Sequence, residues 1–261
     1  VPRLSVKNGW SDGTLTITVR QEVSDARPAY TIPFEVEVAG GEGAPTIHKA
    51  RLTDAKIQIQ IPMEEAPKYV AFDPQAGILA KVEDAQEPEA WEAQLDSPSP
   101  VAVFRALREL GETDRSEAVL AVLSDTNRHF LIRQEAAKAL AQQRNTAVLL
   151  GFADDKHDGV RQAVVRALGN GTDGRAIPLL ERRLRSDPNP DVRVSALRAI
   201  AQLSNARGVA MARGTLGHSD RSVVRTAVDV LGEHGDLSDL HPLLSPRLRN
   251  TVRTAGLRAA A

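Results

Sequence analysis

The first third of the chain alternates hydrophobic and polar residues. In TLTITVRQEV, which starts at Thr14, the side chains of Leu15, Ile17 and Val19 fall on one face and threonines on the other. The alternation returns in YTIPFEVEVAGG and AKIQIQIP, with shorter candidates in RLSV, YVAFDP and GILAKVE. Period two with many β-branched residues is typical of half-buried strands. About six or seven short strands predict an Ig-like antiparallel β-sandwich, with Pro33 at an edge or a bulge because proline cannot donate to a ladder.

Beyond these strands the pattern changes to helical spacing and repeats itself. The segment VRQAVVRALG at Val160 has similar copies in AVFRALRELG, IRQEAAKALA, VRVSALRAIA, VVRTAVDVLG and VRTAGLRAAA. The copies recur about every thirty residues, with a second helical segment between them. One helical hairpin cannot bury its apolar side alone, but stacked copies can. The pattern predicts an α-α superhelix of about six hairpins, with a left-handed helix end at Gly169.

Aspartate and arginine recur at fixed places before these helices. Asp155 precedes Arg161 in DKHDGVR, and Asp187 precedes Arg193 in DPNPDVR. The D-x-x-x-x-V-R…A-x-x-A-L-G pattern is similar to short bacterial HEAT-like repeats. The resemblance implies that these four residues form a ladder between adjacent repeats. The unit at Val223 departs from the pattern, because Val224 occupies the arginine position.

Composition and charge divide the chain in the same place. Residues 1–98 carry a balance of −7 and residues 99–261 a balance of +6, which together give the net charge of −1. We expect a β-sandwich domain at 1–83, an acidic connector with a short helix at 84–100 and a HEAT-like repeat domain at 101–261. No apolar run is long enough to span a membrane, and the chain has no cysteine. Neither observation fixes the compartment, and a cytoplasmic location is favoured.

The order of the two parts carries a second resemblance. The β part resembles the sandwich domain that follows the catalytic domain in aminopeptidase N-like zinc peptidases, where a helical and often HEAT-like domain comes next. The matching positions are Pro2, Leu4, Gln21, Ile32-Pro33 and Phe72-Asp73-Pro74. No H-E-x-x-H zinc motif and no G-x-M-E-N motif occurs in the sequence. The resemblance therefore implies that zinc and catalysis belong to a domain upstream of Val1, and that this chain itself has no cofactor.

The resemblance implies that the chain supports that catalytic domain and limits which peptides enter it. Arg193, Arg198 and Arg225 are the candidates for contacting peptide carboxylates, since cations lining a cleft attract them. The alternative is a free-standing HEAT-repeat scaffold that binds a protein. DNA binding by the basic helical part is less favoured, because acidic residues are interspersed and stacking aromatics are few. The histidines have no helical zinc spacing and fit solvated loops better than metal ligands.

Overall fold

The computed structural model describes residues 1–24 and 28–240. The chain divides into two compact units, Val1–Val122 and Leu123–Ala261. The division falls after the predicted start of the repeat domain at residue 101, so the first predicted repeat helix groups with the β-strands. The predicted repeat segment that begins at Val252 lies outside the described residues.

Within the described residues the first unit contains seven strands in two sheets. They are β1 (Arg3–Ser11), β2 (Thr14–Gln21), β3 (Ile32–Ala39), β4 (Thr46–Leu52), β5 (Lys56–Pro62), β6 (Tyr69–Phe72) and β7 (Lys81–Ala85). One sheet has the order β5-β2-β1-β7 and the other the order β4-β3-β6. Leu15, Ile17 and Val19 are fully buried, as the alternation of β2 predicts.

The two sheets share one hydrophobic core, to which β1 and β2 contribute from one side and β3, β4 and β6 from the other. β7 pairs with β1 in parallel, so the prediction of an entirely antiparallel sandwich is wrong at this pair. The physical reason is the long connection through β2 to β6, since parallel neighbours require such a crossover. Pro33 lies on the central strand β3, so the prediction of an edge strand is wrong. β6 pairs only with Val36 to Ala39, however. The missing N–H of Pro33 therefore interrupts no ladder on that side.

Two helices pack with the β-strands of the first unit, namely α1 (Pro88–Gln94) and α2 (Pro100–Leu110). α1 contacts both α2 and β6, and Trp91 on α1 is buried. A buried polar cluster joins the helices to the sheet, because Tyr69 Oη and Ser97 Oγ both donate to Glu37 Oε1, at 2.8 and 2.5 Å. The predicted connector thus packs against this unit through one side, on which Trp91, Gln94, Leu95, Ser97 and Ser99 are buried.

Helical hairpins build the rest of the described chain. The helices are α3 (Ser116–Ser124), α4 (Phe130–Gln142), α5 (Thr146–Leu149), α6 (Asp158–Gly169), α7 (Ile177–Ser186), α8 (Pro190–Leu203), α9 (Asn205–Thr215), α10 (Arg221–His234) and α11 (Leu237–Leu240). In the second unit α4, α6, α8 and α10 pack side by side in that order. α7 contacts α8, while α9 contacts α8 and α10. This arrangement is the stack of repeats that the period predicts.

Small residues let neighbouring helices of the stack approach closely. Ala136, Ala163 and Ala196 are buried on α4, α6 and α8. Gly169 does not have a left-handed backbone, so the prediction of a left-handed helix end there is wrong. A Cβ atom at Gly169 would lie 2.6 Å from the Cβ of Ala199 on α8. The glycine is therefore required by helix packing.

Candidate functional site

An aspartate–arginine ladder runs between successive repeats of the second unit. We use this name for three ion pairs, Arg133–Asp155, Arg161–Asp187 and Arg193–Asp220, whose closest N–O distances are 2.5, 2.8 and 3.7 Å. In each pair the arginine lies in the first turns of one helix of the α4, α6, α8 row. The aspartate lies just before the next helix of the row. Each pair therefore joins one repeat to the following one.

The same arginines also bind backbone within their own repeat. Arg161 Nη1 donates to the carbonyl oxygen of Asp155 at 2.9 Å, and Arg193 Nη1 donates to the carbonyl oxygen of Asp187 at 2.6 Å. Each ladder aspartate in these two loops thus accepts bonds from arginines of two successive repeats. Its carboxylate binds the arginine of the preceding repeat, and its carbonyl binds the arginine six residues later. The six-residue spacing in the sequence reflects the backbone bond.

The loop aspartates also shape the turn that starts the next helix. The backbone N–H of His157 donates to Asp155 Oδ1 at 2.9 Å, and that of Asn189 donates to Asp187 Oδ1 at 3.0 Å. Burial alone would raise the pKa of the Asp155 and Asp187 carboxyls. Hydrogen bonds from the arginine side chains and from these N–H groups outweigh burial and lower both pKa values. Both carboxylates are therefore held ionised.

Two histidines cap the helices beside the ladder. His129 Nδ1 accepts the N–H of Leu131 at 3.3 Å, and His157 Nδ1 accepts the N–H of Gly159 at 3.1 Å. The ring of Phe130 stacks on that of His157 with centroids 3.9 Å apart. In residues 1–24 and 28–240, no group of three or more His, Asp or Glu side chains is placed to hold a metal ion.

The three arginines predicted to contact peptide have different surroundings. The Arg193 side chain is only 16% exposed and belongs to the ladder. Arg198 on α8 and Arg225 on α10 are exposed, and neither has a polar partner among the described residues. Among the described residues, Arg198 and Arg225 are therefore exposed, whereas Arg193 is engaged in the stack. At the position on α10 that corresponds to the ladder arginines, Val224 is buried. A different ion pair reaches α11, because Arg213 on α9 binds Asp239.

A groove of about 530 Å³ lies between α4 and α6. Its lining residues are Gln134, Lys138, Ala141, Gln142, Gly159, Gln162, Ala163, Arg166, Ala167 and Asn170. We call it the α4–α6 groove. Sequence reasoning missed it, although its polar residues recur every four positions along each helix. That spacing was the available signal, because residues four apart share one side of a helix.

Comparison with known proteins identifies the repeats and the overall fold. A family model described as HEAT repeats matches residues 88–168, 125–193 and 177–261. Over 56 residues the chain is 46% identical to the bilin biosynthesis protein RpcF of Synechococcus sp. (strain WH8020), a match that covers 22% of this chain and 27% of that protein. Among the described helices, none is long and apolar enough to span a membrane.

Solved structures with a similar fold include Legionella pneumophila aminopeptidase A in complex with aspartic acid. That match has a TM-score of 0.67 at 10% identity and covers 99% of this chain and 39% of that chain. The complex of CpcE and CpcF of phycocyanin lyase from Nostoc sp. PCC7120 matches 70% of this chain and 90% of that chain, with 20% identity and a TM-score of 0.38. The first match shows a shared fold, and this chain spans well under half of that peptidase. Because the family matches together span residues 88–261, the chain belongs to the HEAT-repeat family.

Proposed function

We propose that the chain is the non-catalytic C-terminal region of a zinc-dependent aminopeptidase. The observation that carries this proposal is the likeness to Legionella aminopeptidase A along 99% of the chain. A β-sandwich and a helical repeat region, each common by itself, follow one another here as they do in a single peptidase. The motif positions in the sandwich support the same proposal. Gln21 Nε2 donates to the carbonyl oxygens of Tyr30 and Asp54, both at 2.9 Å.

In this proposal zinc and the general base belong to the upstream catalytic domain. The present chain supports that domain and limits the peptides that reach it. Arg198 and Arg225 are the exposed cations that would attract peptide carboxylates, since charge lining a confined cleft concentrates opposite charge. Reversing both charges in the whole enzyme is expected to change the preference for peptide length. An unchanged preference would remove these two residues from the proposal.

The decisive experiment is to identify the native protein that contains these residues. An antibody raised against the chain recovers the endogenous protein, whose intact mass, zinc content and hydrolysis of aminoacyl amides are then measured. A chain much larger than 28.2 kDa with zinc and aminopeptidase activity is the expected result. A protein of about that mass without zinc would overturn the proposal.

A free-standing scaffold that binds another protein is the second candidate. It is favoured by the HEAT-repeat match over residues 88–261 and by the identity to RpcF. The native mass separates the two candidates directly. DNA binding is the third candidate, and it predicts an affinity that falls steeply as salt rises. Retention on heparin that disappears by physiological salt would argue against a DNA site.

A further inference from the structure

The α4–α6 groove combines a small floor with regularly spaced polar walls. Gly159, Ala163 and Ala167 contribute short side chains to it. The polar residues stand four positions apart, at Gln134, Lys138 and Gln142 on α4, at Gln162 and Arg166 on α6, and at Asn170 just after α6. Gln162 Nε2 also donates to the carbonyl oxygen of Asp191 at 3.4 Å, which leaves its Oε1 as an acceptor. Short residues between longer ones leave room for a ligand that lies along the helices. Both walls present a carboxamide, then a cation, then a carboxamide.

The spacing of the polar residues suits an extended polypeptide. Four residues of helix rise by about 6 Å, and two residues of extended chain span about 6.6 Å. A carboxamide offers both a donor and an acceptor, so it can bind the N–H and C=O groups of a main chain. A peptide lying along the groove would meet a carboxamide or a cation at about every second residue.

The charges beside the groove favour an acidic peptide. Lys138, Arg166 and Arg198 occupy equivalent positions on α4, α6 and α8, and all three are exposed. Arg166 donates its Nε to Ser195 Oγ at 3.3 Å, which fixes its stem, while its terminal nitrogens have no partner among the described residues. Lys138 Nζ already donates to Glu135 Oε2 at 2.6 Å, so Arg166 is the groove cation whose charge is least compensated. No carboxylate lines the groove itself. The equivalent position on α10 is Asp229, so the cationic row ends at α8.

We propose that the α4–α6 groove binds an extended acidic segment of another polypeptide. The carboxamides hold the main chain of that segment, and the cations of α4, α6 and α8 bind its glutamate or aspartate side chains. This inference goes beyond the proposed peptidase role and does not depend on it, because the groove residues have no part in that role; Arg198, which lies beside the groove, is the residue that both proposals use. It can therefore fail while the peptidase proposal stands, and the reverse also holds.

The test uses the complete 261-residue chain and fluorescein-labelled peptides in an anisotropy titration at physiological salt. The probes are about eight residues long, which covers the groove in an extended conformation. They alternate Glu, Gln or Lys with Ser, and their C-termini are amidated to exclude binding of a terminal carboxylate. We expect saturable binding of the Glu peptide, at least about tenfold tighter than that of the Gln peptide, because several charge pairs act together. Equal affinity for all three peptides, or no saturation, would overturn the proposal.

Two variants locate the binding. Arg166→Glu combined with Arg198→Glu is expected to weaken the Glu peptide about tenfold or more, since attraction becomes repulsion at two sites. Arg182→Glu combined with Arg221→Glu makes the same charge change on α7 and α10, outside the groove, and is expected to have little effect. If both pairs of substitutions weaken binding equally, the peptide is attracted by net charge only and the groove is not its site. Circular dichroism checks that each variant is folded.

The carboxamides give a test that leaves charge unchanged. Gln162→Ala is expected to weaken the Glu and Gln peptides by the same factor, about threefold to tenfold, because a main-chain hydrogen bond is lost in both cases. Asn145→Ala removes a carboxamide outside the groove and serves as the control. Unchanged affinity in Gln162→Ala would contradict the proposed main-chain contact.

Discussion

Replacing Asp187 with alanine tests whether the aspartate–arginine ladder stabilises the repeats. The residue is 1% exposed. Its carboxylate accepts two bonds from Arg161, at 2.8 and 2.9 Å, and one from Arg183 at 3.2 Å. Arg161 is itself only 7% exposed. The substitution Asp187→Ala therefore leaves a guanidinium enclosed between two repeats without its counter-charge.

The expected cost follows from this burial. Removing one partner of a buried ion pair costs about 3–5 kcal/mol of the free energy of unfolding. We expect about 4 kcal/mol for Asp187→Ala, in the middle of that range. The matched control is Asp154→Ala, which removes a carboxylate that is 57% exposed and pairs with Arg182 at 2.6 Å and with Arg183. Arg183 keeps Asp187 as its counter-charge in this variant. An exposed pair contributes at most about 1 kcal/mol, so the control variant should remain close to the wild type.

Urea unfolding followed by far-ultraviolet circular dichroism measures both variants. Hydrogen exchange with mass spectrometry localises the effect, because 4 kcal/mol corresponds to about a thousandfold faster exchange. The faster exchange should concentrate in α6 and α8, the two helices that the pair joins. Equal free energies of unfolding for Asp187→Ala and Asp154→Ala would refute the assigned role of the ladder.

A double substitution separates the unpaired charge from the lost contacts. In Arg161→Met combined with Asp187→Leu, both charges are replaced by apolar side chains. Such replacements of buried pairs are often neutral or stabilising, so the double variant should be more stable than Asp187→Ala. A double variant as unstable as the single one would mean that the unpaired arginine is not the cause.

Three further predictions concern pH and packing. Burial raises the pKa of the Asp84 carboxyl to about 7. The contribution of this carboxyl to the free energy of unfolding is complete below the unfolded pKa of about 3.9 and is lost as pH rises through 7. Asp84→Asn should therefore raise the free energy of unfolding at pH 8 by about 1–2 kcal/mol and flatten its dependence on pH, as measured by urea unfolding. The ladder carboxylates have lowered pKa values, so their contribution should be lost as pH falls below about 4, seen as acid unfolding of the helical signal. Gly169→Ala should destabilise the fold by about 1–3 kcal/mol and so lower the melting temperature. The control Gly174→Ala should leave the melting temperature unchanged, because the space around Gly174 is open. A higher melting temperature in Gly169→Ala would mean that helix propensity outweighs the contact with Ala199.

The sequence predicts which segments form strands and helices better than it predicts which of these elements pack or pair with each other. The alternation in TLTITVRQEV predicts β2 because one face of a strand must be apolar to be buried. Nothing in the local pattern of KVE predicts that β7 pairs with β1 in parallel, since this pairing depends on residues far away in the chain. The repeat period predicts α4, α6, α8 and α10 for the same reason that it predicts β2. Each helix must bury one side against the next copy.

The candidate site shows the same limit at the level of single residues. The recurring DKHDGVR and DPNPDVR segments identify Asp155, Arg161, Asp187 and Arg193 as related residues. They do not distinguish the backbone bond within a repeat from the ion pair between repeats. That distinction also decides that Arg193 is enclosed, while Arg198, five residues later, is exposed. Gly169 at the end of α6 looks like a helix terminator, because sequence does not record how closely α8 approaches.

The two repeats that begin with α6 and α8 each carry one arginine directed to the following repeat and one aspartate that receives the arginine of the preceding repeat. Such a repeat therefore makes one ion pair with the repeat before it and one with the repeat after it. Duplicating or deleting a complete unit of about thirty residues leaves every interior charge paired. Losing only half of a unit leaves one buried charge unpaired at the junction, which lowers the free energy of unfolding by several kcal/mol. The array can therefore change its length during evolution in whole steps, and its electrostatics oppose every fractional one.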